Sequence, residues 1–376
     1  MFPALKLLRE LIALPSVNPA FLDGSPHLTG EARVAELLAF LAGREGLEID
    51  FQEVFPGRSN LLVRLIPPGG KPRQRILLAP HLDTVCGTAE QFVPVLSRGR
   101  LHGRGACDTK GSVAAMAAAL LDVASRGARP KETEVVFAGL VDEENGQTGS
   151  RHLAASDFRA DLAIVGEPTR LDVVSAHKGD LWLRLETRGR AAHGSLPHLG
   201  RNAVHEAARL VDLLETTYAG KLRRRRHPLL GHGTISVGSI RGGVQANIVP
   251  DECSVIADRR TLPGETESTV RRELAALFRR HKFAVRIHDT KGATCDPLET
   301  DPNLPLVQRF LASAGRRRTK GVSFFCDAAP LAAGGTPAIV FGPGDLAQAH
   351  TADEWIAVES LERGTAVLTR FLRSLP

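Results

Sequence analysis

Residues 134–141 read EVVFAGLV, a short run of mostly apolar residues. Two similar runs lie before and after it, RILLAP at 75–80 and LAIVGE at 162–167. RILLAP and EVVFAGLV are separated by KGSVAAMAAALLDVASRG (110–127), which is rich in alanine and apolar on most faces, as is typical of a helix packed into an interior. Apolar strands that alternate with helices predict an α/β fold with a mostly parallel central sheet flanked by helices.

The pattern changes after residue 178 to that of a smaller α+β domain. Half-buried strand patterns and an amphipathic helix pattern follow in LWLRLETRG, TISVGSI and NAVHEAARLVDLLETTY. The buried-strand pattern returns in TPAIVFGPG at 336–344. We therefore expect residues 1–178 and 290–376 to form one domain, which is interrupted by an inserted domain at 179–289.

Length and composition favour a globular protein. A chain of 376 residues exceeds the ~250–300 residues at which single cores stop growing, so two domains are expected. No segment approaches the ~20 apolar residues that cross a bilayer, and the amphipathic start MFPALKLLRELIALPSVNP does not resemble a signal peptide. The five cysteines are scattered without a CxxC pair, which favours a reducing compartment. These features predict a cytoplasmic protein without a membrane partner.

The net charge of +6 raises the question of an anionic partner. The most basic clusters run from Arg223 to Arg226 and from Arg316 to Arg318. Neither is interleaved with the aromatic residues on which bases stack, and aromatic residues make up only 5% of the chain. We therefore interpret both clusters as solvated loop arginines and predict no nucleic-acid partner.

His81 and Asp83 stand at the end of the first apolar run, in LLAPHLDTV. Residues two apart on an extended chain point to the same side, so the aspartate can accept the second N–H of the imidazole. That contact would fix the tautomer that presents the other ring nitrogen to a metal. A surface His–Asp pair in a turn fits the same two residues.

Asp108 lies in GRGACDTKG, directly before the alanine-rich helix. The dipole of that helix favours an anion at its start, and an ordinary N-cap role would explain the aspartate equally well. The glycine-rich loop has neither the GxGxxG nor the GxxxxGK[ST] spacing, so the sequence does not favour a phosphate site here.

Further acidic and imidazole groups stand where the other apolar runs end. The second run leads into three carboxylates, Asp142, Glu143 and Glu144. Glu167 ends the third run, and His350 follows the last one in GDLAQAHTADEW. Because functional groups gather outside the carboxyl ends of the strands in an open α/β sheet, these groups are expected to converge. So many like charges at one place are costly without a cation, and zinc accepts both nitrogen and oxygen ligands.

The residues at these strand ends suffice for two metal ions that share a carboxylate. The candidate ligands are His81, Asp108, Glu144, Glu167 and His350. In two-metal hydrolytic sites the ions activate a water molecule and polarise the oxygen under attack. One glutamate of the adjacent pair can then bind metal, while the other takes a proton from the water.

In these motifs the sequence resembles the co-catalytic zinc amidohydrolase and peptidase family of acetylornithine deacetylase, succinyl-diaminopimelate desuccinylase, aminoacylase and carboxypeptidase G. HLDTV, GRGACDTKG, DEENGQTGS and GEPT follow one another in the family's order, and the similarity runs through essentially the whole chain. The resemblance implies two zinc ions, for which cobalt or manganese could substitute. One ion would be bound by His81 and Glu167. The other would be bound by Glu144 and His350, with Asp108 as the bridging ligand.

The resemblance also implies roles for the inserted domain. In this family such a domain forms a lid and usually dimerises, so a homodimer through residues 179–289 is implied. His193, in RGRAAHGSLPHLGRNAV, matches the histidine that typically reaches across the dimer to polarise the scissile carbonyl. Asn247 in QANIVPD and Arg260 in DRRTLPG match positions that bind polar and carboxylate groups of the substrate.

The activity implied is that of a metal-dependent hydrolase that removes an N-acyl group, above all acetyl, from an amino acid such as N-acetylornithine. GPGDLAQAHTADEW at 342–355 resembles acetylornithine deacetylases in particular, which would place the protein in arginine biosynthesis. Glu143 would be the general base, and Asp83 would orient His81. A dipeptidase, a carboxypeptidase and a succinyl-diaminopimelate desuccinylase of the same family remain alternatives, as does a non-catalytic ligand-binding relative. Cys326, in FFCDAAP, stands where relatives vary, so substrate recognition near it is left open.

Overall fold

The computed structural model describes most of the chain, namely residues 3–22, 25–125, 127–290 and 294–376. The chain divides into two compact units. The first unit consists of Met1–Ser175, Thr300–Lys320 and Cys326–Pro376. The second unit consists of Ala176–Glu299 and Gly321–Phe325. The lid and dimerisation role assigned to residues 179–289 stays a prediction.

Strands and helices are numbered here along the chain. The strands are β1 (Glu48–Phe55), β2 (Arg58–Leu65), β3 (Gln74–Pro80), β4 (Val95–Ser97), β5 (Arg100–His102), β6 (Thr133–Gly139), β7 (Leu162–Gly166), β8 (Val174–His177), β9 (Gly179–Arg188), β10 (Thr234–Gly242), β11 (Glu252–Thr261), β12 (Val285–Asp289), β13 (Leu298–Glu299), β14 (Lys320–Val322), β15 (Ala338–Val340) and β16 (Trp355–Ala357). The α-helices are α1 (Ala4–Ile12), α2 (Ala32–Arg44), α3 (Lys110–Ser125), α4 (Thr148–Ala155), α5 (Ala203–Leu213), α6 (Ala219–Arg223), α7 (Glu267–Arg280), α8 (Pro305–Ala314), α9 (Ala328–Ala333) and α10 (Val358–Arg373).

The centre of the first unit is a sheet in which β1, β2, β6, β3, β7 and β15 follow one another in that order. β3 pairs in parallel with β6 and with β7, and β15 pairs in parallel with β7. These four strands lie in the predicted apolar runs, so the α/β class with a mostly parallel central sheet is confirmed. Antiparallel pairs extend the sheet beyond β6, through β2 and then β1.

Burial explains why the parallel strands are apolar at successive positions. Every residue of β6 and every residue of β7 is buried. A strand that is covered on both faces has no solvent-facing side, so its sequence does not alternate between apolar and polar residues. The carboxyl ends of β3, β6, β7 and β15 point to one edge of the sheet because the strands are parallel.

α3 is the buried helix that the alanine-rich segment predicts. All of its residues from Lys110 to Ala124 are buried, and it packs against α1 and α10. The fully buried Lys110 donates through Nζ to the backbone oxygens of Leu11, at 2.9 Å, and Leu14, at 2.7 Å. These hydrogen bonds satisfy carbonyl groups at the end of α1 and fix the start of α3.

The second unit has its own α+β core, as predicted. Its sheet has the order β10-β11-β9-β12, and all three pairings are antiparallel. Leu183 and Leu185 of β9 pack with Leu210 of α5 and Leu274 of α7. The helix predicted over residues 202–218 begins as α5 and continues from Leu214 to Tyr218 as a π-helical segment.

Within the described ranges, no helix is both long enough and apolar enough to span a bilayer. Four of the five cysteines are buried, and Cys86 is exposed. The reducing compartment inferred from the cysteine pattern stays a prediction.

Candidate metal centre

The five candidate ligands all belong to the first unit and stand at the carboxyl edge of its sheet. His81 follows β3 directly, Glu144 follows β6 and Glu167 follows β7. Asp108 lies in the loop that leads into α3, and His350 lies in the segment after β15. The parallel strands therefore bring together residues that are up to 269 positions apart in sequence (350 − 81).

Asp108 lies between the two imidazoles. Its Oδ1 is 3.2 Å from His81 Nε2, and its Oδ2 is 3.3 Å from His350 Nε2. A second carboxylate stands beside each imidazole. Glu144 Oε2 is 3.1 Å from His350 Nε2, and Glu167 Oε1 is 3.9 Å from His81 Nε2. One shared carboxylate between two imidazole–carboxylate pairs is an arrangement that could hold two neighbouring metal ions.

The donor set fits divalent metal ions. His81, Asp108 and Glu144 each offer one ligand atom, and these atoms lie within 4.8 Å of one another. Glu144 Oε1 is buried and, among the described residues, has no hydrogen-bond partner. An unsatisfied buried acceptor costs about 1–3 kcal/mol, and more when it is charged, so a cation at this position would offset a real penalty. Imidazole nitrogen and carboxylate oxygen are ligands that zinc accepts.

The neighbouring carboxylates raise the pKa values of both imidazoles. Burial by itself lowers the pKa of His81, but hydrogen bonds with Asp108 and Asp83 raise it well above its ordinary value. Hydrogen bonds with Asp108 and Glu144 raise the pKa of His350 to about 10. Metal ligation needs neutral imidazole, so a metal ion bound by these two rings would compete with protons.

Asp83 fixes the turn that carries the adjacent glutamates. Its Oδ1 accepts the backbone N–H of Glu143 at 3.1 Å, and its Oδ2 accepts that of Glu144 at 3.1 Å. The side-chain amide of Asn18 donates to the same Oδ2 at 2.7 Å. His81 Nδ1 is 3.0 Å from the backbone oxygen of Asp83 and 3.4 Å from Oδ1. Asp83 therefore lies beside the imidazole, whose shorter contact is with the backbone oxygen, and it also sets the positions of both glutamates. Its role in orienting His81 stays a prediction.

Asp142 points away from the metal-ligand cluster. Its Oδ1 accepts from Asn18 at 3.0 Å and is 3.5 Å from Arg58 Nη2, and its Oδ2 accepts from Thr148 at 2.5 Å. Arg58 also binds the buried Glu31 through two hydrogen bonds, of 2.9 and 2.6 Å. These hydrogen bonds stabilise the turn that contains Asp142, Glu143 and Glu144. The sequence did not predict this polar network. No motif in the sequence marks Asn18, Glu31 or Arg58.

Asp327 is a further buried acid, and no motif of the sequence predicts a role for it. It follows the buried Cys326 and accepts a 2.5 Å hydrogen bond from Ser150 at its Oδ1. Its Oδ2 is buried and has no hydrogen-bond partner among the described residues. Burial raises the pKa of Asp327 from 3.8 to about 7.

We expect Asp327→Asn to stabilise the metal-free protein increasingly as the pH rises from about 4 to 7. The folded state holds a proton that the unfolded chain has already released above pH 3.8, so stability is lost progressively until about pH 7. Asparagine does not titrate, and the difference between a pKa of 3.8 and one of about 7 corresponds to at most ~4 kcal/mol. Thermal unfolding of both metal-free proteins at pH 4.5, 5.5, 6.5 and 7.5 measures the difference. A difference in Tm that is independent of pH would contradict this expectation.

The predicted substrate residues lie in the second unit. His193 is exposed, and its Nδ1 is 2.7 Å from Ser195 Oγ. The backbone N–H of Gly194 donates to the backbone oxygen of Asn247 at 2.7 Å, so His193 and Asn247 are near neighbours. They stand beside a groove of about 540 Å³ that is lined in part by Gly194 and Ile248.

Arg260, in β11, is already engaged by carboxylates. Its Nη2 is 2.9 Å from Asp258 Oδ2 and 3.7 Å from Asp180 Oδ1. The guanidinium also lies over the ring of Phe325, 5.4 Å from its centroid. Its predicted contact with a substrate carboxylate therefore depends on the N–H donors that these partners leave free.

Comparison with known proteins points to one family. The family model of peptidase family M20/M25/M40 matches residues 77–374. An acetylornithine deacetylase of Myxococcus xanthus is 35% identical over 98% of this chain and 96% of its own length. The aminopeptidase PepT of Bacillus cereus superposes with a TM-score of 0.79 at 20% identity, covering 98% of this chain and 97% of its own. The YXEP protein of Bacillus subtilis, a dinuclear metal-binding peptidase, superposes with a TM-score of 0.71 at 12% identity, covering 98% and 96%.

Proposed function

This chain belongs to peptidase family M20/M25/M40, and from that premise we propose that it removes the acetyl group from an N-acetylated amino acid such as N-acetylornithine. The observation that carries the proposal is the carboxylate of Asp108 between two imidazole–carboxylate pairs. The similarity to an acetylornithine deacetylase over nearly the whole chain supports the choice of substrate.

The residues of the cluster divide naturally between two divalent ions, which we propose to be zinc with cobalt or manganese as substitutes. His81 and Glu167 would hold one ion, and Glu144 and His350 the other, with Asp108 shared between them. Such ions, when bound, acidify a water molecule and polarise the amide carbonyl. The dinuclear metal-binding peptidase that shares the fold supports the number of ions.

Glu143 is the proposed general base. Its carboxylate would take a proton from the attacking water, whose oxygen bonds to the carbonyl carbon, and would return that proton to the amine nitrogen as the C–N bond breaks. Burial raises the pKa of Glu143 well above its ordinary value, and the carboxylates of Glu167 and Asp327 raise it further against the opposing effect of His81. A carboxylate with a raised pKa is suited to taking and returning a proton near neutral pH.

The second unit would supply groups for the substrate. We propose that His193 donates to the oxygen that becomes negative during attack, and that Asn247 binds a polar group beside it. Arg260 would bind the substrate carboxylate through the N–H donors left by Asp258. The exposure of His193 and its closeness to Asn247 support these roles. A homodimer through the second unit belongs to the same proposal, as does a reducing, cytoplasmic location, which the scattered cysteines without a CxxC pair support.

A hydrolysis panel tests the substrate. Zinc- or cobalt-loaded protein is incubated with N-acetylornithine, other acetylated amino acids, succinyl-diaminopimelate and dipeptides, and the released amine is measured. We expect release from N-acetylornithine to exceed that from the dipeptides. Faster cleavage of dipeptides would favour a peptidase, and faster cleavage of succinyl-diaminopimelate would favour a desuccinylase. Binding of N-acetylornithine without hydrolysis of any compound would indicate a non-catalytic relative.

A further inference from the structure

Glu354 stands four residues after His350, directly before β16, and its side chain is buried. Its Oε1 accepts the backbone N–H groups of Cys107, at 2.8 Å, and of Asp108, at 3.0 Å. Its Oε2 accepts the backbone N–H of Gly105 at 3.0 Å. The loop that carries Asp108 therefore donates three backbone hydrogen bonds to one carboxylate. That carboxylate belongs to the segment that carries His350.

The backbone of Glu354 joins the same two segments. Its carbonyl oxygen accepts the N–H of Gly103 at 3.0 Å. The side chain of Gln91 holds the intervening turn by donating to the carbonyl oxygen of Ala352 at 2.9 Å. Hydrogen bonds thus join residues 103–108 to residues 350–354 at several points. Among them, the carboxylate of Glu354 binds the backbone N–H of Asp108 itself.

His350 depends on this connection more than the other candidate ligands do. Its side chain is 53% exposed, whereas that of His81 is 1% exposed. The ring of His350 therefore has little surrounding protein to hold it. Its Nε2 lies 3.3 Å from Asp108 Oδ2, and only the short turn between residues 350 and 354 separates it in the chain from Glu354.

A simple buried ion pair does not explain this geometry. Glu354 does bind Arg104, through Nη1 at 2.7 Å, but three of its four side-chain hydrogen bonds come from backbone N–H groups of the ligand loop. Glu134, near the amino-terminal end of β6, is an example of a simple buried ion pair. That buried carboxylate pairs with Arg75 at 2.6 Å and Arg64 at 3.2 Å.

We propose that Glu354 is a positioning residue that fixes the separation of Asp108 and His350, so that the affinity of the metal centre depends on it. The ion held by Asp108, Glu144 and His350 depends on it most. The ion on the side of His81 depends on it less, because His81 is held by its own buried surroundings. This inference rests on the proposed function only in requiring that the centre binds divalent metal.

Cobalt titration of metal-free Glu354→Gln tests the inference, with Glu134→Gln as the matched control. Glutamine keeps one acceptor oxygen but places an NH₂ group against backbone N–H donors, so the hydrogen bonds to the other oxygen of Glu354 are lost. Partners that orient metal ligands typically contribute about 10–100-fold in metal affinity. We expect Glu354→Gln to bind its second cobalt ion about 10–100-fold more weakly and to lose the visible absorption of that ion at limiting cobalt. Glu134→Gln should bind both ions as the wild type does.

Glu354→Asp provides a second variant if the glutamine variant does not fold. It keeps the charge but shortens the side chain by one methylene, so its cobalt affinity should fall between those of the wild type and Glu354→Gln. Thermal unfolding of the metal-free variants separates loss of stability from loss of metal. Wild-type cobalt affinity and spectra in a folded Glu354 variant would overturn the inference, even if its Tm were lowered. Inactivity of fully loaded wild-type protein toward N-acetylornithine would instead count against the proposed substrate alone.

Discussion

Glu143→Ala is expected to lower kcat by about 10²–10⁴-fold, the usual contribution of a general acid–base group, while both metal ions stay bound. Glu143 is not part of the cluster of ligand atoms formed by His81, Asp108 and Glu144. Its backbone N–H is fixed by Asp83 at 3.1 Å, a contact that the alanine variant keeps. The alanine therefore removes the carboxylate without moving the turn. Metal content by elemental analysis and kcat on the best substrate of the hydrolysis panel measure the two effects separately.

Glu144→Ala is the matched control, since it removes the same group from the next residue. Glu144 Oε2 is 3.1 Å from His350 Nε2, and its Oε1 is the buried oxygen without a partner among the described residues. We expect this variant to lose an ion and regain activity at high metal concentration, whereas added metal should not restore Glu143→Ala. The opposite pattern would mean that the two glutamates have exchanged roles.

The candidate ligands could be located from the sequence because each has a simple relation to a strand or helix. His81 and Glu167 stand at the ends of apolar runs, and Asp108 stands shortly before a helix that is buried on all sides. Parallel strands share one carboxyl edge, so the positions of these residues along the chain were enough to predict that their side chains lie close together. The structure adds the distances, which show Asp108 at the centre of the cluster.

The polar supports of the site could not be located in the same way. Glu354 and the amides of Cys107 and Asp108 are about 246 residues apart, and nothing in either segment identifies the other as its partner.

The contact of Arg260 with Asp258, by contrast, could have been predicted. Asp258 and Arg260 are two apart on β11, and residues with this spacing lie on the same face of a strand. Their contact at 2.9 Å was therefore accessible from the sequence once the strand was recognised.

Asp108→Ala should abolish activity through loss of both metal ions. The two oxygens of Asp108 face different imidazoles, Oδ1 toward His81 at 3.2 Å and Oδ2 toward His350 at 3.3 Å, so a single substitution removes a ligand from each side. Even the loss of a partner that only orients a metal ligand typically costs about 10–100-fold in affinity, so loss of the ligand itself should cost each ion at least as much. Equilibrium dialysis against zinc at micromolar concentration should find less than one ion per chain, where the wild type holds two.

Asp142→Asn tests whether this loss follows from geometry or from negative charge alone. Asp142 is part of the same acidic turn, but its oxygens bind Asn18, Thr148 and Arg58 and do not face the imidazoles. Its substitution removes one negative charge from the neighbourhood without removing a ligand. We expect Asp142→Asn to lower Tm, because it disrupts the network beneath the turn, and to retain both ions. If Asp142→Asn released metal as completely as Asp108→Ala does, the overall charge of the turn would hold the cations, and the position of Asp108 between the two histidines would lose its special role.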